Sequence, residues 1–418
     1  MSLDRRAFLK SGAVAAAGAS AHKKRKSAPP ITLQTDGALQ FAVSSDPAAK
    51  LAAVPFHGVH QAGITNPPPP AGAFVALDVT ETTASGLEQL LRQITARARF
   101  LTTGGSPQEL GITTPPSDSG TLGGEVVADG LTVTLGVGAS LFDDRFGLAS
   151  QMPKHLSVME SFPNDNLNPD WLGGDLIMQI CAGSEDTALH TLRDILKHTH
   201  GGAQVRWRMD GFVSPPRPSG VPRNHQGFHD GIANPDVANT AVANKLLWVV
   251  KDNGEPAWAT GGSYHVLRLI RMFIEFWDRV SLKEQETMIG RYRVSGAPLG
   301  MTSETEIPDY ANDPSGKKIP LTAHIRLVNP RVTATEDSRI FRRGYNYDNG
   351  MDLAGNLDIG LIFNCFQQNL TRQFVANQNR LIGEPLVDYI QPFGGGYFFT
   401  LPGVQDSSDW LGRTLLSA

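Results

Sequence analysis

Strand candidates and amphipathic helix candidates follow one another in the same order twice along this chain, and few folds accommodate that order. In the first pass, AFVALDV (73–79) is a buried strand candidate, and 85–102 sets Leu87, Leu90, Leu91 and Ile94 on one side of a helix. LTVTLGVG (131–138) and DLIMQICAG (175–183) predict two more strands. The stretch 184–199 opens on Ser184 and two acids ahead of an amphipathic helix, and 203–212 returns as a strand. Strand, helix, strand, strand, helix, strand is the split βαβ order of a ferredoxin-like domain. The proline-rich PPRPSGVPRNHQ (215–226) reads as a joint, after which the order recurs. There, 263–277 predicts a strand bending into a helix and 281–292 an acid-capped helix. Strands follow at 339–347 and 357–367, then a helix at 369–380 and a last strand at 395–403. The expected class is α+β, with duplicated ferredoxin-like domains built on antiparallel sheets. The expected divisions are a leader and flexible segment (1–50), an N-terminal domain (51–220) and a C-terminal domain (221–418).

Composition narrows the function classes. At 418 residues the chain is long for one core, which favours two domains. A formal charge of −4 gives no electrostatic footprint for nucleic acid. Cys181 and Cys365 are the two cysteines, too few for a disulfide scaffold or a thiolate-built metal site. Both lie in apolar runs and read as buried free thiols. No run approaches the roughly 18 apolar residues of a spanning helix, so no transmembrane anchor is expected. At the start, SLDRRAFLK is followed by the mildly apolar SGAVAAAGAS. Paired Arg5 and Arg6 ahead of Phe8, Leu9 and Lys10 resemble a twin-arginine export signal. A disordered basic tail is the alternative, because the apolar stretch is short and runs into HKKRKS.

Two polar segments of the second pass offer chemistry. GFHDGIANP (227–235) sets Asp230 among glycines, with Gly227 and Gly231 permitting a tight backbone and Asn234-Pro235 disfavouring further helix. Read alone, this acid serves equally well as an Asx-turn cap on backbone N–H groups. AHIRLVNPR (323–331) surrounds His324 with apolar neighbours and follows it with Arg326 and Arg331. A histidine there suits a satisfied core position as well as an axial ligand for haem iron. Composition and spacing alone establish a polar cleft and no more.

The blocks GFHDGIANP, AHIRLVNPR, IFRRGYNY (340–347) and FGGGYFFTLPG (393–403), in that order, resemble those of the dye-decolourising peroxidases over about residues 50–412. The similarity extends to the exported twin-arginine branch that includes periplasmic haem peroxidases associated with iron uptake. It implies a duplicated ferredoxin-like fold of the dimeric α/β-barrel type and one haem b per chain. It implies His324 as proximal iron ligand, Asp230 as distal acid and Arg342 as distal arginine. Gly231, Ile232 and Ala233 would line the haem edge, with Asn329, Pro330 and Arg331 on the proximal side. Within EPLVDYI (384–390), Asp388 is expected to hold the proximal imidazole N–H, with Glu384 the fallback. Arg326, Arg331 and Arg343 are candidates for the haem propionates. Where some relatives carry an asparagine two residues after the distal arginine, this chain has Gly344, so no third polar distal residue is expected. The implied activity is reduction of hydrogen peroxide with oxidation of dyes, phenols or other aromatic one-electron donors. Electrons would leave through surface aromatics, with Tyr345, Tyr347, Tyr389 and Tyr397 near the blocks. Alternatives are a deferrochelatase, which releases iron from haem and leaves the porphyrin intact, and a non-enzymatic haem carrier. Implied partners are peroxide, electron donors and the twin-arginine export machinery, with a homo-oligomer compatible. The implied location is periplasmic or secreted.

Overall fold

Near-continuous apolar runs give strands such as Ala71–Val79, Thr132–Gly138 and Leu176–Ala182 two buried faces, and the fold supplies a different partner for each. A computed structural model describes residues 51–218 and 220–418; the expected leader, with Arg5 and Arg6, lies outside them. The first pass contains β1 (Ala71–Val79), α1 (Ala84–Thr103), β2 (Thr132–Gly138), β3 (Leu176–Ala182), α2 (Glu185–His198) and β4 (Ala203–Phe212). Thr83 caps α1 by accepting the N–H of Gly86. Ser184 stands at the α2 cap position, but its hydroxyl donates to Asp129 at 2.6 Å instead of accepting from the helix.

The second pass opens with α3 (Thr240–Leu246), which the periodicity did not predict, and continues with β5 (Ser263–Met272), α4 (Ile274–Trp277) and α5 (Leu282–Ile289). After a long loop come α6 (His324–Val328), β6 (Phe341–Arg342), β7 (Tyr345–Met351), β8 (Leu357–Gln367), α7 (Ala376–Arg380) and β9 (Ile390–Thr400). The strand expected over 339–347 is thus broken at Arg343-Gly344, and the helix expected from 369 begins as one π-helical turn, Thr371–Val375. Within each pass the strand order is the same, β2-β3-β1-β4 and β7-β8-β5-β9. The edges then meet. β9 pairs with β2 and β4 with β7, while β5 pairs with β8 as well as β9, so eight strands close an antiparallel barrel. Closure leaves neither repeat with both edges free.

Inward-facing Phe74, Trp207, Leu267, Tyr345, Ile362 and Phe398 fill the barrel. On the outer face of the first repeat, α1 and α2 lie down on the strands through Leu87, Leu91, Ile94, Leu192 and Ile195. On the outer face of the second repeat, the corresponding connections stand away from the strands, and a cavity opens between them. Cys181 and Cys365 are both buried and free. Among the described residues, no helix is long and apolar enough to cross a membrane.

Candidate active site

The cavity, of about 210 Å³, is walled by outward residues of β5, β8 and β9, by α5, α6 and α7, and by the loop around Asp230. Asp230, Ile232, Ala233, His324, Asn329, Arg331 and Arg342 all border it. Gly231 and Pro330 provide backbone between lining residues and do not themselves line it.

One wall carries the acid and the arginine. Gly227 and Gly231, at φ of 85° and 96°, turn the chain on either side of Asp230. The Asp230 N–H is anchored by donation to the Pro222 carbonyl at 3.0 Å. Arg342 Nη1 lies 3.0 Å from Asp230 Oδ1, and both side chains are about one-quarter exposed, towards the cavity. Gly344 is the neighbour of the other carboxylate oxygen: a Cβ there would stand 3.3 Å from Asp230 Oδ2.

The same lining carries His324, at the first position of α6. Its Nδ1 is 2.8 Å from Oε2 of Glu384, whose side chain is only 3% exposed. With Nδ1–H donated to the carboxylate, Nε2 keeps its lone pair. Burial disfavours the charged ring, but the negative charge and hydrogen bond of Glu384 outweigh it and raise the imidazole pKa above its ordinary value. This corrects the expectation for Asp388. Glu384 immediately precedes the short 3₁₀ turn Pro385–Tyr389 and points inward, whereas Asp388 lies within that turn and is exposed.

Five arginines, 268, 291, 331, 339 and 342, line the cavity against two carboxylates, Asp230 and Glu384. Arg268 is neutralised by the buried Asp165, a partner 103 residues away. Arg291 donates to the carbonyls of Gly296 and Glu304 and has no carboxylate; burial and the charges of Arg331 and Arg342 lower its pKa to about 10. The Nε atoms of Arg331 and Arg339 and the Tyr310 hydroxyl are buried without a hydrogen-bond partner. Buried donors of this kind are expected to be satisfied. They suit a ligand bearing carboxylates, as the lone pair on His324 suits an iron. The residues present therefore fit haem.

Other expectations need correcting. Arg326 is held outside the cavity by Asp313 at 3.2 Å and by the Ile319 carbonyl. Arg343 is buried away from it and donates to the Asn66 carbonyl. Neither is placed to meet a propionate in this cavity. Tyr345 and Tyr347 face the barrel interior, Tyr397 is buried edge-on against Phe374 at 5.7 Å, and Tyr389 packs edge-on against Trp277 at 5.3 Å. Sequence reasoning missed Arg268, Arg291, Arg339 and Tyr310, because nothing local distinguishes them from surface residues.

Family models described as Dyp-type peroxidase, N-terminal, and Dyp-type peroxidase, C-terminal, match residues 61–213 and 221–405. Deferrochelatases of Escherichia coli (strain 536) and Shigella sonnei are each 49% identical over 420 aligned positions, covering 99% of this chain and 96% of theirs. The DyP-type peroxidase from Cellulomonas bogoriensis superposes with a TM-score of 0.78 at 35% identity, over 88% of this chain and 99% of its own. Ferric DtpA from Streptomyces lividans gives 0.79 at 33% identity, over 88% and 98%. With two family models side by side over most of its length and relatives alike from end to end, the chain belongs to the Dyp-type peroxidase family and is an enzyme of that haem-peroxidase type.

Proposed function

We propose that the cavity binds haem b through His324 and that the protein acts as a deferrochelatase, releasing iron while leaving the porphyrin intact. The observation that carries this reading is the 49% identity to deferrochelatases across 99% of the chain. Bound haem would supply the iron as cargo and a macrocycle that takes up two protons in its place. Asp230 would hold and pass a proton, and the Arg342 contact at 3.0 Å to Oδ1 leaves Oδ2 as the oxygen to do so. His324, braced by Glu384, would hold the iron, and Arg331, Arg339 and Tyr310 would offer donors to ligand carboxylates.

A second reading, peroxidase turnover of aromatic donors, is favoured by the Asp230–Arg342 pair itself. Asp230 can take a proton from one peroxide oxygen and return it to the other. Arg342, always protonated, would stabilise the negative charge that develops on that second oxygen as the O–O bond breaks, before it leaves as water. Haem-loaded protein incubated with an iron chelator, with and without hydrogen peroxide, separates the two. Porphyrin fluorescence rising in step with captured iron supports iron release. Donor oxidation with haem intact and no free porphyrin overturns it in favour of peroxidase turnover. In that case Arg342→Leu should retain haem and slow the peroxide reaction by about 10²-fold or more.

Export by the twin-arginine route to the periplasm completes the proposal and rests on Arg5-Arg6. Replacing both by lysine should trap the protein in the cytoplasm, as fractionation would show. Unaltered export would remove the assignment.

A further inference from the structure

The segments that carry Asp230 and Arg342 lie 112 positions apart in the sequence, yet one side chain ties them together. Asn234 Oδ1 accepts the Arg342 N–H at 2.9 Å, and Asn234 Nδ2 donates to the Arg342 carbonyl at 2.8 Å. The reason lies in the strand. Phe341 and Arg342 pair with Phe366 and Cys365 of β8, and the Arg343 N–H donates to the Asn364 carbonyl. Successive residues of an antiparallel strand present their N–H and C=O to opposite edges. The polar groups of Arg342 therefore face away from β8, where none of the described strands runs, and they need a partner. The carboxamide of Asn234 serves as a one-residue strand.

Asn234 is also fixed to the loop of the acid. Its own N–H donates to the Gly231 carbonyl at 3.2 Å, closing a turn that begins one residue after Asp230. Three links thus form a ring: the Gly231–Asn234 turn, the Asn234 carboxamide on the Arg342 backbone, and the 3.0 Å contact between the Arg342 and Asp230 side chains. Asn234 itself does not line the cavity.

We infer that Asn234 is a positioning residue: its carboxamide clamps the Arg342 backbone to the Asp230 loop and sets where the guanidinium stands over the cavity. The role in the cavity rests on the haem reading above; the clamp itself does not. An aspartate at this position would keep the acceptor, lose the donor and set a negative charge against a carbonyl oxygen, so it should serve only in part.

The test has two arms. Amide hydrogen exchange on haem-free protein should show faster exchange at Arg342 in Asn234→Ala than in the unaltered protein. Unchanged exchange overturns the clamp. Fluoride titration of the ferric haem-loaded protein, read at the Soret band, gives the second arm, because a small anion there would draw on the Arg342 donors. Asn234→Ala should retain haem and weaken fluoride binding by about tenfold, the scale of one lost hydrogen bond, and should add nothing in an Arg342→Leu background. An equal weakening in both backgrounds would mean that Asn234 acts independently of Arg342 and overturns the inference. Should Asn234→Ala fail to fold, Asn234→Asp replaces it, with a smaller weakening expected and the same requirement of no effect beside Arg342→Leu. If the unaltered protein binds no haem, the haem reading and the cavity role both fall, while the exchange arm still decides the clamp.

Discussion

Two carboxylates four residues apart, Glu384 and Asp388, meet very different environments, and the difference decides which one tunes His324. Glu384 is buried 2.8 Å from Nδ1, where low dielectric strengthens the hydrogen bond and fixes the tautomer with Nε2 free. Asp388 is exposed on the far side of a 3₁₀ turn. Glu384→Gln should therefore lower haem retention and shift the Soret band, whereas Asp388→Asn should leave both unchanged. Equal effects from the two, measured by haem titration, would remove the special role of Glu384. At this scale the sequence offered the right residue types but could not rank them, since both acids lie in one short block and the inward direction depends on where the turn begins.

At the scale of elements, α5 and α6 together set the height of His324. Gly290 ends α5 in the left-handed region at φ 91°, and a Cβ there would stand 2.7 Å from Cγ1 of Ile325, the residue after His324. Gly290→Ala should cost about 1–2 kcal/mol of stability through backbone strain alone and displace α6 as well. Denaturant titration and haem affinity should both register the change, and a variant with unaltered haem affinity would show that α6 does not lean on this cap. In β5, His265 faces the barrel interior, donates from Nε2 to Asn364 Oδ1 at 2.6 Å and stacks on Phe366. Burial lowers its pKa to about 4, with the Asn364 hydrogen bond opposing. A depressed histidine pKa means that the unfolded chain binds the proton first. The stabilising contribution is full above about pH 6.5 and is lost as pH falls from there towards 4, on the order of 3 kcal/mol in all. Urea unfolding across that window should show a shallower pH slope in His265→Gln than in the unaltered protein; identical slopes would exclude the buried neutral ring.

On the scale of the whole molecule, barrel closure makes each repeat the edge partner of the other. β2 meets β9 through three residue pairs, and β4 meets β7 through the single pair Phe212–Asn346. Residues 51–218 produced alone would present both edges of a four-stranded sheet, so they should self-associate or aggregate. A cooperative, monomeric fragment in size exclusion and thermal melts would show that the first repeat needs no partner. The asymmetry between repeats also appears only here. The first closes its helices onto the sheet through aliphatic side chains, while the second holds its helices off and lines the gap with five arginines and two histidines, His229 and His324.

Element order, strand identity and the residue types at the centre of the cavity were legible in the sequence, because apolar periodicity and glycine–proline punctuation act over a few residues. The βαββαβ order fits the observed topology, and the family's sequence blocks picked out Asp230, Arg342 and His324, which the fold places around one cavity. Tertiary structure decided the remainder: the break at Arg343-Gly344, the choice of Glu384, the pairing of Arg268 with Asp165 and the grip of Asn234 on Arg342. These contacts join positions 60, 103 and 108 residues apart, for Glu384, Asp165 and Asn234 with their respective partners. Their geometry depends on strand register and helix placement, which are fixed only when the barrel closes and each buried polar group must find a partner.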